Sequence, residues 1–195
     1  AFVYAEARKS PMHIGAINIY DPSTAPGGKF RYQEILDFVE SRLHKAAAFT
    51  QKLQHVPFNV DHPYWVEDPD FDIEFHIRHI ALPAPGDWRQ LCILAARLHS
   101  RPLDMEKPLW QFWVVEGLDN IRNIPKGSYA IISKIHHAAI DGISGVEIAH
   151  ATHCGVGGIA LFQCAPVPMA APTMGNAINL VNAFVMKVGK VTCVT

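Results

Sequence analysis

Apolar positions recur along the first 150 residues in two rhythms, every second residue and every third or fourth. The period of two marks residues 12–20 (MHIGAINIY), 62–66, 70–80, 110–115 and 129–135 as strands, and an apolar stretch directly after Ala1 also reads as strand-like. The last strand, Tyr129-Ala130-Ile131-Ile132-Ser133-Lys134-Ile135, is rich in β-branched residues and predicts a buried position. The helical period covers 32–54, where Ile35, Leu36, Val39, Leu43 and Ala47 form one stripe, and 88–100, where Leu91, Leu94, Ala95 and Leu98 do. A third helix is expected over 143–150, with Ile143, Val146 and Ala149 on one face. Residues 22–28, 83–86 and 117–127 supply turns. Pro102 and Pro108 keep the segment between them extended or turning.

After residue 150 the pattern changes. All 18 acidic residues precede it, and only Lys187 and Lys190 carry formal charge beyond it. The reading is therefore a lobe over 1–150 and a tail of uncertain structure over 151–195, with a weak amphipathic helix at 177–190. The composition, 49% hydrophobic and 18% charged, is that of one globular domain with a sizeable core. A net charge of −1 offers no electrostatic footprint for nucleic acid. Cys92, Cys154, Cys164 and Cys193 show no CxxC spacing and fit thiols in a reducing cytoplasm. No signal-peptide pattern and no membrane-spanning apolar run is present, and the opening at Ala1 reads as that of a fragment.

The chemistry concentrates in His136-His137-Ala138-Ala139-Ile140-Asp141-Gly142, where the buried strand ends and the chain turns toward the expected helix. A neutral imidazole placed there takes a proton from a hydroxyl and returns it to a leaving group. Asp141 either orients an imidazole directly or pairs with an arginine and braces the turn. Gly142 lets a substrate approach the main chain. Two imidazoles and a carboxylate also suit zinc or iron, but neighbours on an extended strand point to opposite faces, so no metal site is assigned. His76 and His79 in FDIEFHIRHI fall on opposite faces of a strand for the same reason. His44 and His55 read as structural cations at a helix end. Gly142-Ile143-Ser144-Gly145-Val146 misses the nucleophile elbow at its last position, and no dinucleotide or P-loop fingerprint occurs.

The histidine stretch resembles the HHxxxDG motif of the CoA-dependent acyltransferase superfamily. Three further stretches narrow the resemblance to the bacterial wax ester synthase/diacylglycerol acyltransferases. Pro102-Leu103-Asp104-Met105-Glu106-Lys107-Pro108-Leu109-Trp110 is similar to their PLDRxRPLW stretch, with Met105 and Lys107 standing where the family has arginines. Pro11-Met12-His13-Ile14-Gly15 is similar to their first strand, and Phe71-Asp72-Ile73-Glu74-Phe75-His76-Ile77 to their mid-lobe strand. The resemblance implies an α/β fold: one chloramphenicol-acetyltransferase-like lobe, a mixed sheet with flanking helices, its second, C-terminal lobe missing. It also implies acyl-CoA as substrate, with no cofactor, and a long-chain alcohol or diacylglycerol as acceptor. His137 would be the general base, His136 would help fix the turn, and Asp141 would brace the loop. Trp110 is read either as core or as a wall of an acyl channel. Contact with a membrane surface or lipid droplet is a further expectation. Two alternatives stay open: a carrier-protein-dependent condensation domain, and a non-catalytic lobe that binds lipid or a partner through an exposed apolar face.

Overall fold

The computed structural model describes residues 2–6, 11–24, 31–140 and 185–187. In chain order its elements are α1 (Phe2–Ala5), β1 (His13–Tyr20), α2 (Tyr32–Glu40), β2 (Gln51–Gln54), β3 (Tyr64–Glu67) and α3 (Ile73–His76). Then come β4 (Ile77–Ala81), α4 (Trp88–Ser100), β5 (Trp110–Glu116), β6 (Tyr129–His136) and β7 (Val185–Lys187). The main sheet runs β4-β5-β6-β1-β7, with β4 parallel to β5, β6 antiparallel to both β5 and β1, and β7 parallel to β1. β2 and β3 form a separate antiparallel pair.

Residue alternation sorts the sheet into two cores. Trp113 and Val115 of β5, Ala130 and Ile132 of β6 and Ile17 of β1 meet Leu91, Ala95 and Leu98 of α4. Trp110, Phe112 and Val114 turn the other way and meet Leu36 and Val39 of α2 with Ala46 and Phe49. Each leucine so buried contributes roughly 1.5–3 kcal/mol. α4 follows its sequence signal over the full expected span because both of its ends are satisfied. The Asp87 carboxylate accepts the Gln90 N–H at 2.9 Å. At the other end, Lys134 Nζ donates to the carbonyls of Leu98 at 3.0 Å and Arg101 at 2.7 Å.

Several expectations are corrected. The helix expected over 32–54 stops at Glu40, and its apolar stripe continues through two 3-10 turns, Leu43–Lys45 and Ala47–Phe49, into β2. Phe49 and Ala46 still reach the core from these turns, so burial is met without a longer helix. His44 and His55 accordingly do not sit at the end of α2. The strand expected over 70–80 begins as the single turn α3, because the Asp72 carboxylate accepts the Glu74 N–H at 2.9 Å and caps it. The stretch after Ala1 is helical rather than extended. Residues 185–187, expected within a helix, pair with β1 as a strand. The helix expected over 143–150 lies outside the described residues.

The hairpin of β2 and β3 leaves Phe58, Val60, Tyr64 and Trp65 in the open, with Phe58 at a left-handed φ of +61°. Gly86, at φ +69°, precedes the cap of α4, and a side chain there would collide with the carbonyl of Gly117. Gly86→Ala is therefore expected to destabilise the fold by about 1–3 kcal/mol. Chemical denaturation against the parent chain checks this.

Candidate active site

β6 carries the two histidines to the edge of the packed interior and leaves them in opposite environments. His136 closes the strand with its ring fully buried, and its backbone N–H donates to the Leu109 carbonyl at 2.9 Å. His137 opens a 3-10 turn, His137–Ala139, and is exposed. Its backbone N–H donates to the Met12 carbonyl at 2.8 Å, and its own carbonyl accepts the Ile140 N–H at 3.4 Å.

The contacts on its two nitrogens set the tautomer of the buried ring. The Ala138 backbone N–H donates to His136 Nδ1 at 3.0 Å, so that nitrogen carries no proton. The ring proton sits on Nε2, which faces Glu6 Oε2 at 3.3 Å. The same carboxylate oxygen accepts the Met12 N–H at 2.5 Å. His136 thus caps the turn on which His137 stands, and Glu6 holds the cap from behind.

Beneath the motif lies a group of buried titratable side chains. His13 is the ladder partner of His136, and its Nε2 donates to the His99 carbonyl at 2.7 Å. The His13 and His99 rings meet edge-on at 4.6 Å. Burial pushes the His13 imidazole down to about 4 and lowers His99 as well. Lys134, buried on the same face, lies 5.1 Å over the Trp113 ring. Burial, with the positive charges of Arg101 and Arg78, lowers its ammonium to about 8.

The Pro102-to-Trp110 segment supports the turn from the other side. Leu109 supplies the carbonyl for His136 and packs with Leu53 and Ala139. Lys107 Nζ lies 3.6 Å from the buried Asp68 carboxylate, which Lys52 also holds at 2.8 Å. Burial would raise the Asp68 carboxyl, but the Lys52 hydrogen bond, the Asp70 N–H and the Lys107 charge outweigh it and keep it below the usual range.

Trp110 is only 1% exposed. Its ring stacks on His76 at 4.5 Å and meets Phe49 edge-on at 5.1 Å, and its Nε1 donates to the Phe49 carbonyl at 3.0 Å. The structure thus places Trp110 inside the packed lobe; no channel lined by it is seen among the described residues. His76 Nδ1 donates to the Trp110 carbonyl at 2.7 Å. Asp141 and Gly142 lie outside the described residues, as does any contact they make. Among the described residues, no three His, Cys, Asp or Glu side chains gather as a metal site. Sequence reasoning misses the parts played by Glu6, Met12 and Leu109, because two of the three act through backbone groups and the third meets a partner 130 residues away.

The mixed sheet, with a His-His turn at the end of an inner strand, defines a lobe of the chloramphenicol-acetyltransferase type. The family model for the wax ester synthase/diacylglycerol acyltransferase catalytic domain matches residues 1–156, and the chain belongs to that family. A probable diacylglycerol O-acyltransferase of Mycobacterium tuberculosis is 38% identical over 150 residues, which cover 77% of this chain and 52% of that protein. The wax ester synthase/diacylglycerol acyltransferase of Marinobacter aquaeolei VT8 superposes with a TM-score of 0.57 at 32% identity, covering 76% of this chain and 35% of that one. A mutant starter condensation domain of rhizomide synthetase, in complex with C8-CoA, shares the fold at 11% identity and a TM-score of 0.53, over 77% of this chain and 30% of its own. The chain therefore spans about a third to a half of the length of these proteins.

The buried histidines set an acid limit. Between pH 6.5 and about 4 the unfolded chain binds a proton at His13 that the folded lobe does not, so stability falls as pH drops through that window. His76 and His99, also lowered by burial, act in the same direction. The loss assigned to His13 is on the order of 2 kcal/mol. Thermal unfolding followed across this range should show it. His13→Gln, which keeps an N–H for the His99 carbonyl, should flatten the slope.

Proposed function

We propose that the complete protein moves a fatty acyl group from acyl-CoA to a long-chain alcohol or diacylglycerol, giving wax ester or triacylglycerol, with His137 as general base. The observation that carries this reading is the split between the two histidines: one buried and capping the turn, the other exposed on it. A base must reach substrate while its backbone is held still, and the Met12 and Ile140 hydrogen bonds hold this one.

In the proposed step His137 takes the proton of the acceptor hydroxyl as its oxygen attacks the thioester carbonyl carbon. The new C–O bond forms, the C–S bond breaks, and His137 returns the proton to the departing CoA thiolate. No acyl-enzyme and no cofactor are required, because acyl-CoA arrives as a substrate. Asp141 is assigned to brace the loop and Gly142 to allow close approach of substrate. The acyl and acceptor groups would meet between this lobe and a C-terminal one. Water-insoluble acceptors favour work at a membrane or lipid-droplet surface from the cytoplasmic side. Among the described residues no helix is long and apolar enough to cross a membrane.

The second reading, a condensation domain with amine acceptors, draws on the shared fold alone. Thiol release from palmitoyl-CoA, with hexadecanol, diacylglycerol or an amine as acceptor, separates the two. It is run on this chain and on the chain completed with a C-terminal lobe. Alcohol- or diacylglycerol-dependent release is expected in the completed protein, reduced about 10²–10⁴-fold in His137→Ala. Full-rate turnover by His137→Ala would refute the base, and amide formation from a carrier-protein thioester, with no thiol release from palmitoyl-CoA, would favour the condensation reading.

A further inference from the structure

We propose that Glu6 is a positioning residue for the histidine turn, fixing the tautomer of His136 and through it the seat of His137. The inference rests on the reading of His137 as the base. Its physical basis is a closed circuit of hydrogen bonds. Glu6 Oε2 accepts the Met12 N–H at 2.5 Å and faces His136 Nε2 at 3.3 Å. The Met12 carbonyl accepts the His137 N–H at 2.8 Å, and His136 Nδ1 accepts the Ala138 N–H at 3.0 Å. One carboxylate oxygen therefore fixes both supports of the turn: the peptide of Met12 from one side and the His136 ring from the other.

The tautomer is the part of this circuit that a side chain controls. A neutral imidazole has one protonated nitrogen, and which one is set by the hydrogen bond its other nitrogen makes. With Glu6 accepting at Nε2, the lone pair of Nδ1 is free to receive Ala138. Without Glu6 the Nδ1–H form becomes available, and it aims a proton at the Ala138 N–H. That contact is repulsive, and it opens the first bond of the turn that carries His137. His136 is 0% exposed and Glu6 is half-buried, so no bulk water stands ready to replace the lost acceptor.

The role differs from that of a general structural brace in what it predicts. Glu6 touches neither acyl group nor hydroxyl in the proposed step, so substrate affinity should not move. A displaced base, in contrast, lowers turnover, since an error near 1 Å costs about 10²-fold. Glutamine at this position keeps an oxygen for the two N–H groups and loses only the charge.

Two measurements test this. Histidine-ring ¹H–¹⁵N correlation spectra of the 195-residue chain should show His136 protonated at Nε2 and bare at Nδ1. Glu6→Ala should show a mixture of tautomers, and Glu6→Gln the parent pattern. In the completed protein, kcat for acyl transfer should fall about 10–10²-fold in Glu6→Ala with KM unchanged, and recover most of that loss in Glu6→Gln. Should Glu6→Ala fail to fold, Glu6→Asp replaces it. Its side chain is one methylene too short to reach both N–H groups and should give the same mixture with a smaller loss of kcat. Nδ1 protonation in the parent chain, or a pure Nε2–H tautomer in the variants that lose turnover, would overturn the proposal. If His137→Ala transfers acyl groups at the full rate, the base assignment fails while the spectra still decide what Glu6 does.

Discussion

The antiparallel pairing of β1 with β6 is the constraint on which the lobe depends. Eight residue pairs, from His13 with His136 to Tyr20 with Tyr129, set one register for both inner strands. That register puts His13, Gly15 and Ile17 on the α4 face, opposite His136, Lys134 and Ile132. A slip by one residue would exchange every one of these for its neighbour on the other face, exposing the α4 core to Ser133 and Ile135 in place of Lys134 and His136. The end of α4 is tied to the same register. Lys134 closes its last carbonyls, and His99 lies over Gly15, where even a methyl group would meet the imidazole. Helix position and histidine position are thus one variable.

The strand's alternation also explains why two adjacent histidines lie in opposite environments. The last residue of β6 inherits the inward direction of Ala130, Ile132 and Lys134, and is buried accordingly. The following residue has left the ladder, and a 3-10 turn lifts it into the open. Burial without solvent obliges the inward ring to satisfy both nitrogens from protein, and it does so with Ala138 and Glu6. The outward ring, exposed on its turn, is under no such obligation.

Legibility in the sequence follows the range of the interaction. α4 is readable end to end because its stripe, its Asp87 cap and the proline after Arg101 agree. β6 and the His-His turn are readable because a β-branched run meets a polar motif. The pattern makes α2 too long, since the stripe through Leu43 and Ala47 continues after the helix has ended in 3-10 turns, and periodicity does not distinguish the two. α3 is hidden inside a strand-like run because one capping carboxylate, Asp72, outweighs β propensity locally. The lobe's fold class comes through the motifs taken together. Within the site, Glu6 is invisible, because nothing near it in the chain shows that a histidine will arrive behind it. The ambiguity of Trp110 between core and channel narrows only on seeing what packs around the indole.

The link between Glu6 and His136 has a consequence for when the site comes into being. The two residues are 130 positions apart, so the circuit closes only after nearly all of the lobe's chain has emerged and its inner strands have paired. During synthesis the N-terminal segment must wait for β6, and until then His136 has no carboxylate behind it. The seating of the histidine turn is therefore a late event in the life of the chain. A nascent or damaged lobe whose sheet is incomplete would lack the buried His136 cap, so the turn that carries His137 is set only in molecules that have finished folding.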